Sequence, residues 1–388
     1  MKLTKLSLIA ALSMNVAFAG GTVLAPVEPV VMDSVADASN NNRTTVTGKM
    51  QGYYITNDTA DSMFDKTQQI AGATTLNVTH SLMDNLKLNF SAIGYVNAFN
   101  KNGHNYGYLE SNKRGAFFNV ANIQADLDFM DTTIIAGRQL IDSPMFGSYD
   151  WLLSPSSFEA YTVVNKSIPN VALIGTYVTK HRGHNAGSDW TKIVTGTKNN
   201  FAAGAVYNDS KFSGNAWYYN IDAKKYTQMY ADAGFDMGIF NIGVQGAMTD
   251  YKTGDDSTAY GLKLGTSMFG FYLTAAANMV SDRNTAYIDR DALYASSWMT
   301  FASDAAVAGE DTLSWKVSTG YKFAGIDTQV SYGAYGDDTT ELDVIMGVDF
   351  LKNTMNLQAI YSMVDTEKGA LMGIEKANTL EVLGTYKF

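Results

Sequence analysis

From Thr44 onward, apolar and polar residues alternate in segments of about ten residues, the period-two pattern of strands with two unlike faces. Leu313, Trp315, Val317, Thr319 and Tyr321 share one face, while Thr312, Ser314, Lys316, Ser318 and Gly320 alternate with them. Leu342, Val344, Met346, Val348 and Phe350 repeat the pattern against Glu341, Asp343, Ile345, Gly347 and Asp349. It recurs at the end, where Leu380, Val382, Gly384, Tyr386 and Phe388 oppose Glu381, Leu383, Thr385 and Lys387. Marking every such segment predicts strands at 44–54, 70–79, 85–96, 114–128, 132–137, 158–164, 170–178, 201–207, 212–220, 226–235, 239–248, 259–267, 270–278, 312–321, 325–335, 341–350, 353–363 and 378–388.

The gaps between these strands broadly alternate between short and long. That layout predicts an all-β protein: a transmembrane antiparallel β-barrel of 18 strands, or 16 as the alternative, with short periplasmic turns and longer extracellular loops. No window offers the run of about 18 apolar residues that a membrane helix needs. Pro26, Pro29, Pro144, Pro155 and Pro169 all fall between predicted strands, as they must, because proline cannot donate to a ladder. Aromatic residues gather at strand ends, at Tyr53 and Tyr54, Tyr218 and Tyr219, Phe269 and Phe271, Tyr321 and Phe323, Phe350 and Phe388. These positions predict two interfacial girdles.

The first nineteen residues read as a secretory signal: Lys2 and Lys5, an apolar stretch from Leu6 to Val16, and Ala17-Phe18-Ala19 before Gly20. Residues 20–43 read as a flexible periplasmic segment, and 44–388 as the barrel. The 388-residue chain has no cysteine, which excludes disulfides, thiolate metal sites and a cysteine nucleophile. Its 28 bases and 38 acids give a net charge of −10, and −12 without Lys2 and Lys5. With no basic tract, nucleic acid is not the expected partner.

Candidate function sits in two long gaps and on the wall. The loop 138–157 is apolar and aromatic, so it is expected to fold into the lumen, seat Leu140, Ile141, Met145, Phe146, Trp151 and Leu152 on the wall, and hold Asp142 and Asp150 near a pore. The loop 279–311 holds Asp282, Asp289, Asp291, Asp304, Glu310 and Asp311 against Arg283 and Arg290, and would make the mouth negative if it entered the lumen. Taking the more polar face of each strand as lumenal places Lys49, Lys87, Arg114, Lys263 and Lys316 inside, with Asp126, Asp128, Asp232, Asp327, Asp343 and Glu381. His181 and His184 with Asp189 lack a third ligand at firm spacing, so no metal or other cofactor is expected. The motifs of serine hydrolases, P-loop proteins and zincins are absent, and no enzyme is expected.

Gly137-Arg138-Gln139, Pro144, Asp150-Trp151-Leu152-Leu153, Pro155, Phe158-Glu159-Ala160-Tyr161 and Asn165-Lys166-Ser167-Ile168-Pro169 resemble the corresponding segment of the OprD-like (Opr family) outer-membrane porins. The specific match spans roughly residues 137–180. The resemblance implies an 18-stranded barrel whose third and seventh extracellular loops form a constriction, and it makes Arg138, Asp142, Asp150 and Glu159 the pore-lining candidates. Where the family commonly carries an arginine beside Leu-Leu-Pro, this chain has Trp151 and Leu152, with Ser154 before Pro155. The expected function is a passive diffusion channel in the outer membrane of a Gram-negative cell, for small polar solutes and ions. A classical trimeric general porin, a barrel-based adhesin and an outer-membrane hydrolase are the alternatives. Expected partners are outer-membrane lipid, lipopolysaccharide and the barrel assembly machinery, the last through Phe388, with the chain a monomer or homotrimer.

Overall fold

The computed structural model describes residues 43–59, 62–65, 67–100, 114–148, 153–183, 190–192, 199–296, 298, 309, 311–336, 339–352, 354–366 and 376–388. The predicted signal and all but Arg43 of the segment after it lie outside the described residues, as do Asp150, Trp151, Leu152, His184, Asp189, Asp304 and Glu310.

Eighteen long strands follow the period-two segments: β1 (Thr44–Asn57), β2 (Gln68–Met83), β3 (Leu86–Asn100), β4 (Arg114–Leu127), β5 (Thr132–Gln139), β6 (Ser157–Asn165), β7 (Val171–Arg182), β8 (Asn200–Asn208), β9 (Phe212–Ile221), β10 (Tyr226–Asp236), β11 (Phe240–Tyr251), β12 (Ser257–Met268), β13 (Phe271–Asp282), β14 (Thr312–Phe323), β15 (Ile326–Tyr335), β16 (Thr339–Phe350), β17 (Met355–Thr366) and β18 (Lys376–Lys387). A two-residue strand, Thr191–Lys192, adds to the outer end of β7. Each long strand pairs antiparallel with its neighbours in sequence, and β1 pairs with β18 from Lys49↔Lys387 to Asn57↔Thr379. The sheet is closed, which removes the edges that would otherwise present unpaired backbone groups to lipid. The terminal residue completes the seam: Phe388 N–H donates to the Gly48 carbonyl at 3.0 Å, and Gly48 N–H donates back at 2.8 Å.

Burial alternates along the strands with the apolar side outward. On β12, Leu262 and Leu264 are 45% and 49% exposed, while Lys263 between them is 2% exposed. A protein in water would gain by the opposite arrangement, so this exterior is built for the hydrocarbon of a bilayer. At the periplasmic end Phe271 stacks on Tyr321 with ring centroids 4.1 Å apart, and Phe212 stacks on Phe235 at 4.6 Å. Phe269, Phe323, Phe350 and Phe388 are exposed beside them. Two residues expected in the girdles face the other way: Tyr53 and Tyr219 are buried on the lumenal parity of β1 and β9, where their hydroxyls bind polar partners.

The periplasmic turns are short, and their chemistry is local. In the β8–β9 turn the Phe212 and Lys211 N–H groups each donate to the Asp209 carboxylate at 2.7 Å. These donors, with the Tyr207 hydroxyl, hold that carboxyl below its ordinary range. The outer connections 222–225, 252–256 and 336–338 are as short as the turns, so only part of the outer rim carries long loops. Gly137 in β5 has φ +123°, a conformation open to glycine, and a Cβ there would strike the Ala121 carbonyl across the ladder.

Candidate functional site

The described parts of the third outer connection (140–156) and of the seventh (283–311) enter the lumen and dock on each other. Pro144 sits in a turn that Ser143 closes by donating its N–H to the Phe146 carbonyl at 3.1 Å, and the loop is further tied by Ser148 N–H to the Ile141 carbonyl at 2.7 Å. Phe146 then bridges in parallel to Ile288: Ile288 N–H donates to the Met145 carbonyl at 3.0 Å, and Gly147 N–H to the Ile288 carbonyl at 3.2 Å. The Arg290 guanidinium pairs with the Asp142 carboxylate across the same junction.

Apolar burial fixes the clasp to one wall. Ile141, Met145 and Phe146 from one loop, and Ala286, Ile288, Ala292 and Leu293 from the other, share a cluster with Phe158, Ile174, Trp217, Tyr219, Tyr226 and Tyr230 of the wall. Phe146 lies 4.5 Å from the Phe158 ring, which stacks on His181 at 4.9 Å; His181 Nε2 in turn bonds the Asp289 carboxylate. The Tyr219 hydroxyl donates to Ser143 Oγ at 3.2 Å. At its far end the third loop seats Leu153 in a second cluster with Tyr53, Ile55, Ile93 and Leu383. Tyr219 on β9 and Tyr53 on β1 stand eight strands apart in an eighteen-stranded barrel, so the loop spans the lumen.

The seventh loop crosses on a polar track. Gln228 donates to the Ala286 carbonyl at 2.8 Å, the Tyr294 hydroxyl to the Val244 carbonyl at 3.2 Å, and Ala295 N–H to Asn278 Oδ1 at 2.8 Å. The Lys263 ammonium lies 4.5 Å from the centre of the Tyr294 ring, and Lys316 donates to the Ser296 carbonyl. Trp298 reaches the far wall, donating its N–H to Glu341 at 2.9 Å and its indole Nε1–H to Glu381 at 3.1 Å. Glu381 also accepts from the Tyr53 hydroxyl at 2.7 Å.

The structure redistributes the charges singled out in the sequence. Lys49, Lys87, Lys263, Lys316, Asp126, Asp232, Asp327, Asp343 and Glu381 stand on lumenal parity. Lys263 and Lys316 are buried beneath the seventh loop and serve as its anchors. Lys87 pairs with Asp126 at 3.3 Å and Asp327 with Lys322 at 3.1 Å, both on the periplasmic half, while Asp343 accepts from Ser331 and Ser362. Asp142 is held by Arg290. Asp128 is exposed in a periplasmic 3-10 turn.

Three bases and acids expected inside stand on the outer face. Arg114 is exposed opposite Val96, because the register shift between Ser91 and Ala92 leaves Asn119 as an extra residue and inverts the parity of the outer part of β4. Arg138 and Glu159 are opposite each other and share their face with exposed Tyr161 and Val163. Glu159 pairs with Lys180 at 2.8 Å, and Arg138 lies over the Trp190 ring at 4.6 Å. Sequence reasoning named Arg290 as a base of the seventh loop without its partner Asp142, and missed Trp298 and Lys180. Arg290 and Asp142 are 148 residues apart, and the one available signal was the apolar series Ala286, Ile288, Ala292 and Leu293 inside a polar loop. Among the described residues no cluster of three His, Cys, Asp or Glu could hold a metal.

This geometry has solved counterparts. OccD3 (OpdP) of Pseudomonas aeruginosa superposes with a TM-score of 0.73 at 16% identity, covering 94% of this chain and 95% of that one. OccK3 (OpdO) of the same organism gives 0.71 at 15% identity over 89% and 95%, and OccAB1 of Acinetobacter baumannii 0.75 at 10% over 91% and 99%. The fold is that of the OprD-like porins. No family model and no curated protein matches the sequence. Coverage of nearly the whole of each counterpart means that the OprD-like likeness includes the full barrel.

Proposed function

We propose that this chain is an outer-membrane channel through which small polar solutes and ions diffuse passively, narrowed by the clasped third and seventh loops. The observation that carries this reading is the clasp itself, two loops joined by backbone bridge and ion pair inside a closed barrel. The clasp packs its apolar side chains on the wall of β6–β13, while Leu153 and Trp298 carry the two loops to β1, β3, β16 and β18, so the solute path is what these contacts leave open within the polar wall of β14–β18 and β1–β5. Charge on that path favours cations. Glu341, Asp343, Asp349 and Glu381 stand against Lys49, Lys316 and Lys387, with Lys87–Asp126 and Lys322–Asp327 offsetting each other, an excess of one acid. One of the structural counterparts, OpdK of Pseudomonas aeruginosa, was crystallised with vanillate, which supports a small organic solute as the cargo class. The test is the current across planar bilayers holding the folded protein under a salt gradient. Discrete steps with a cation-sided reversal potential support the reading, and a folded barrel without steps overturns it.

A further inference from the structure

Arg182, at the outer end of β7, is 0% exposed. A guanidinium keeps its charge in a protein, and taking it out of water is costly unless its N–H groups find acceptors. Here they do. Nη1 donates to Ser154 Oγ at 2.8 Å and to the Gly183 carbonyl at 3.2 Å, and Nη2 donates to Asn119 Oδ1 at 2.7 Å and to the Pro155 carbonyl. The guanidinium carbon lies over the Phe117 ring, 4.3 Å from its centre. Three segments therefore meet at one side chain: the outer part of β4, the returning arm of the third loop, and the end of β7.

The third loop itself makes the gap that Arg182 fills. Pairing of β5 with β4 reaches Ala121↔Arg138 and β5 ends at Gln139, while the chain regains the wall at Ser157 of β6, directly opposite Arg182. Asn119, the extra residue of the β4 bulge, bridges this gap, accepting from Ser157 Oγ at 2.7 Å as well as from Arg182. Ser154, Pro155 and Ser156, the arm between Leu153 and β6, are all buried, and Leu153 shares a cluster with Phe117. The acid within the field of Arg182 is Asp289 of the seventh loop, which His181 holds. Hydrogen bonds thus fix one loop of the clasp, and charge complements the other.

We propose that Arg182 is a positioning residue of the channel: its forked guanidinium latches the returning arm of the third loop to β4, and so sets how far the clasp narrows the lumen. The fork matters as much as the charge, because lysine ends in one nitrogen and cannot serve Ser154 and Asn119 from two fixed directions. Apolar side chains of similar volume commonly replace buried ionic groups without loss of stability, so the barrel itself does not depend on this residue.

The chain has no cysteine, so one introduced at the buried Ser156 reports on the arm. The full folded chain carrying Ser156→Cys is treated in detergent with a sulfonated maleimide, with and without a change at Arg182, and each sample is checked for the heat-dependent mobility of a folded barrel. Arg182→Met raises the labelling rate by about tenfold, the scale of losing charge-assisted hydrogen bonds, and Arg182→Lys does not restore protection. Asn119→Asp, which offers the guanidinium a carboxylate, keeps the slow rate. In planar bilayers Arg182→Met without the cysteine gives larger steps than wild type; that readout rests on the channel proposed above, whereas the labelling rates decide the latch whether or not the barrel conducts. Equal labelling with and without Arg182→Met in folded barrels overturns the proposal. So does loss of the folded-barrel mobility in both Arg182→Met and Arg182→Lys, which would make Arg182 a requirement of the barrel and not of the loop.

Discussion

Asp142 of the third loop and Arg290 of the seventh, 148 residues apart, form an ion pair in the barrel lumen. Neither partner is fully buried, the side chains being 23% and 20% exposed. The pair is thus worth less than a buried one, about 1–2 kcal/mol. Asp142→Asn or Arg290→Ala should loosen the clasp while leaving the barrel intact, seen as larger and noisier single-channel steps. Exchanging the charges, with Asp142→Arg and Arg290→Asp together, should return the step size toward that of the wild type.

Phe146 is 1% exposed between Phe158 and Ile288, and truncating a buried aromatic costs about 3–5 kcal/mol. Phe146→Ala removes contacts between loops and wall, none of them in the ladder. The expected result is protease cleavage within 140–156 under conditions where wild type resists, with the heat-dependent electrophoretic shift of the folded barrel unchanged.

Glu381 receives hydrogen bonds from Tyr53 and Trp298 and stands on the polar wall. Glu381→Gln keeps the size and loses the charge. The reversal potential under a salt gradient should move away from the cation side, while step size changes little. An unchanged reversal potential would show that Glu381 does not contribute its charge to the path.

Gly137 cannot be replaced at no cost. Alanine at φ +123° adds about 1–3 kcal/mol of backbone strain and a clash with the Ala121 carbonyl. Gly137→Ala should reduce the yield of folded barrel in detergent refolding, measured against Gly175→Ala, where a Cβ meets open space.

The eighteen strands were legible because a barrel in lipid writes one apolar and one polar residue per repeat, and observed boundaries differ from the predicted ones by only a few residues. Counting parity along a strand fails where a bulge intervenes. Asn119 is such a residue, and it turned Arg114 outward with no mark in the local pattern. Arg138 and Glu159 were assigned to the lumen by resemblance, although Ile135 inward and Tyr161 outward fix them on the outer face. Tyr53 and Tyr219 looked like girdle residues because position near a strand end does not reveal which face a side chain takes. The apolar character of 138–157 did foretell an inward loop, since Ile141, Met145 and Phe146 are buried. The partners that hold it, Arg290 and Ile288, lie in another loop, and no periodicity connects the two.

The most direct test of the central claim is single-channel recording from the folded wild-type chain in planar bilayers under a salt gradient. Discrete steps, with a reversal potential on the cation side, are the predicted result. A protein that shows the heat-dependent mobility of a folded barrel yet passes no current would contradict it.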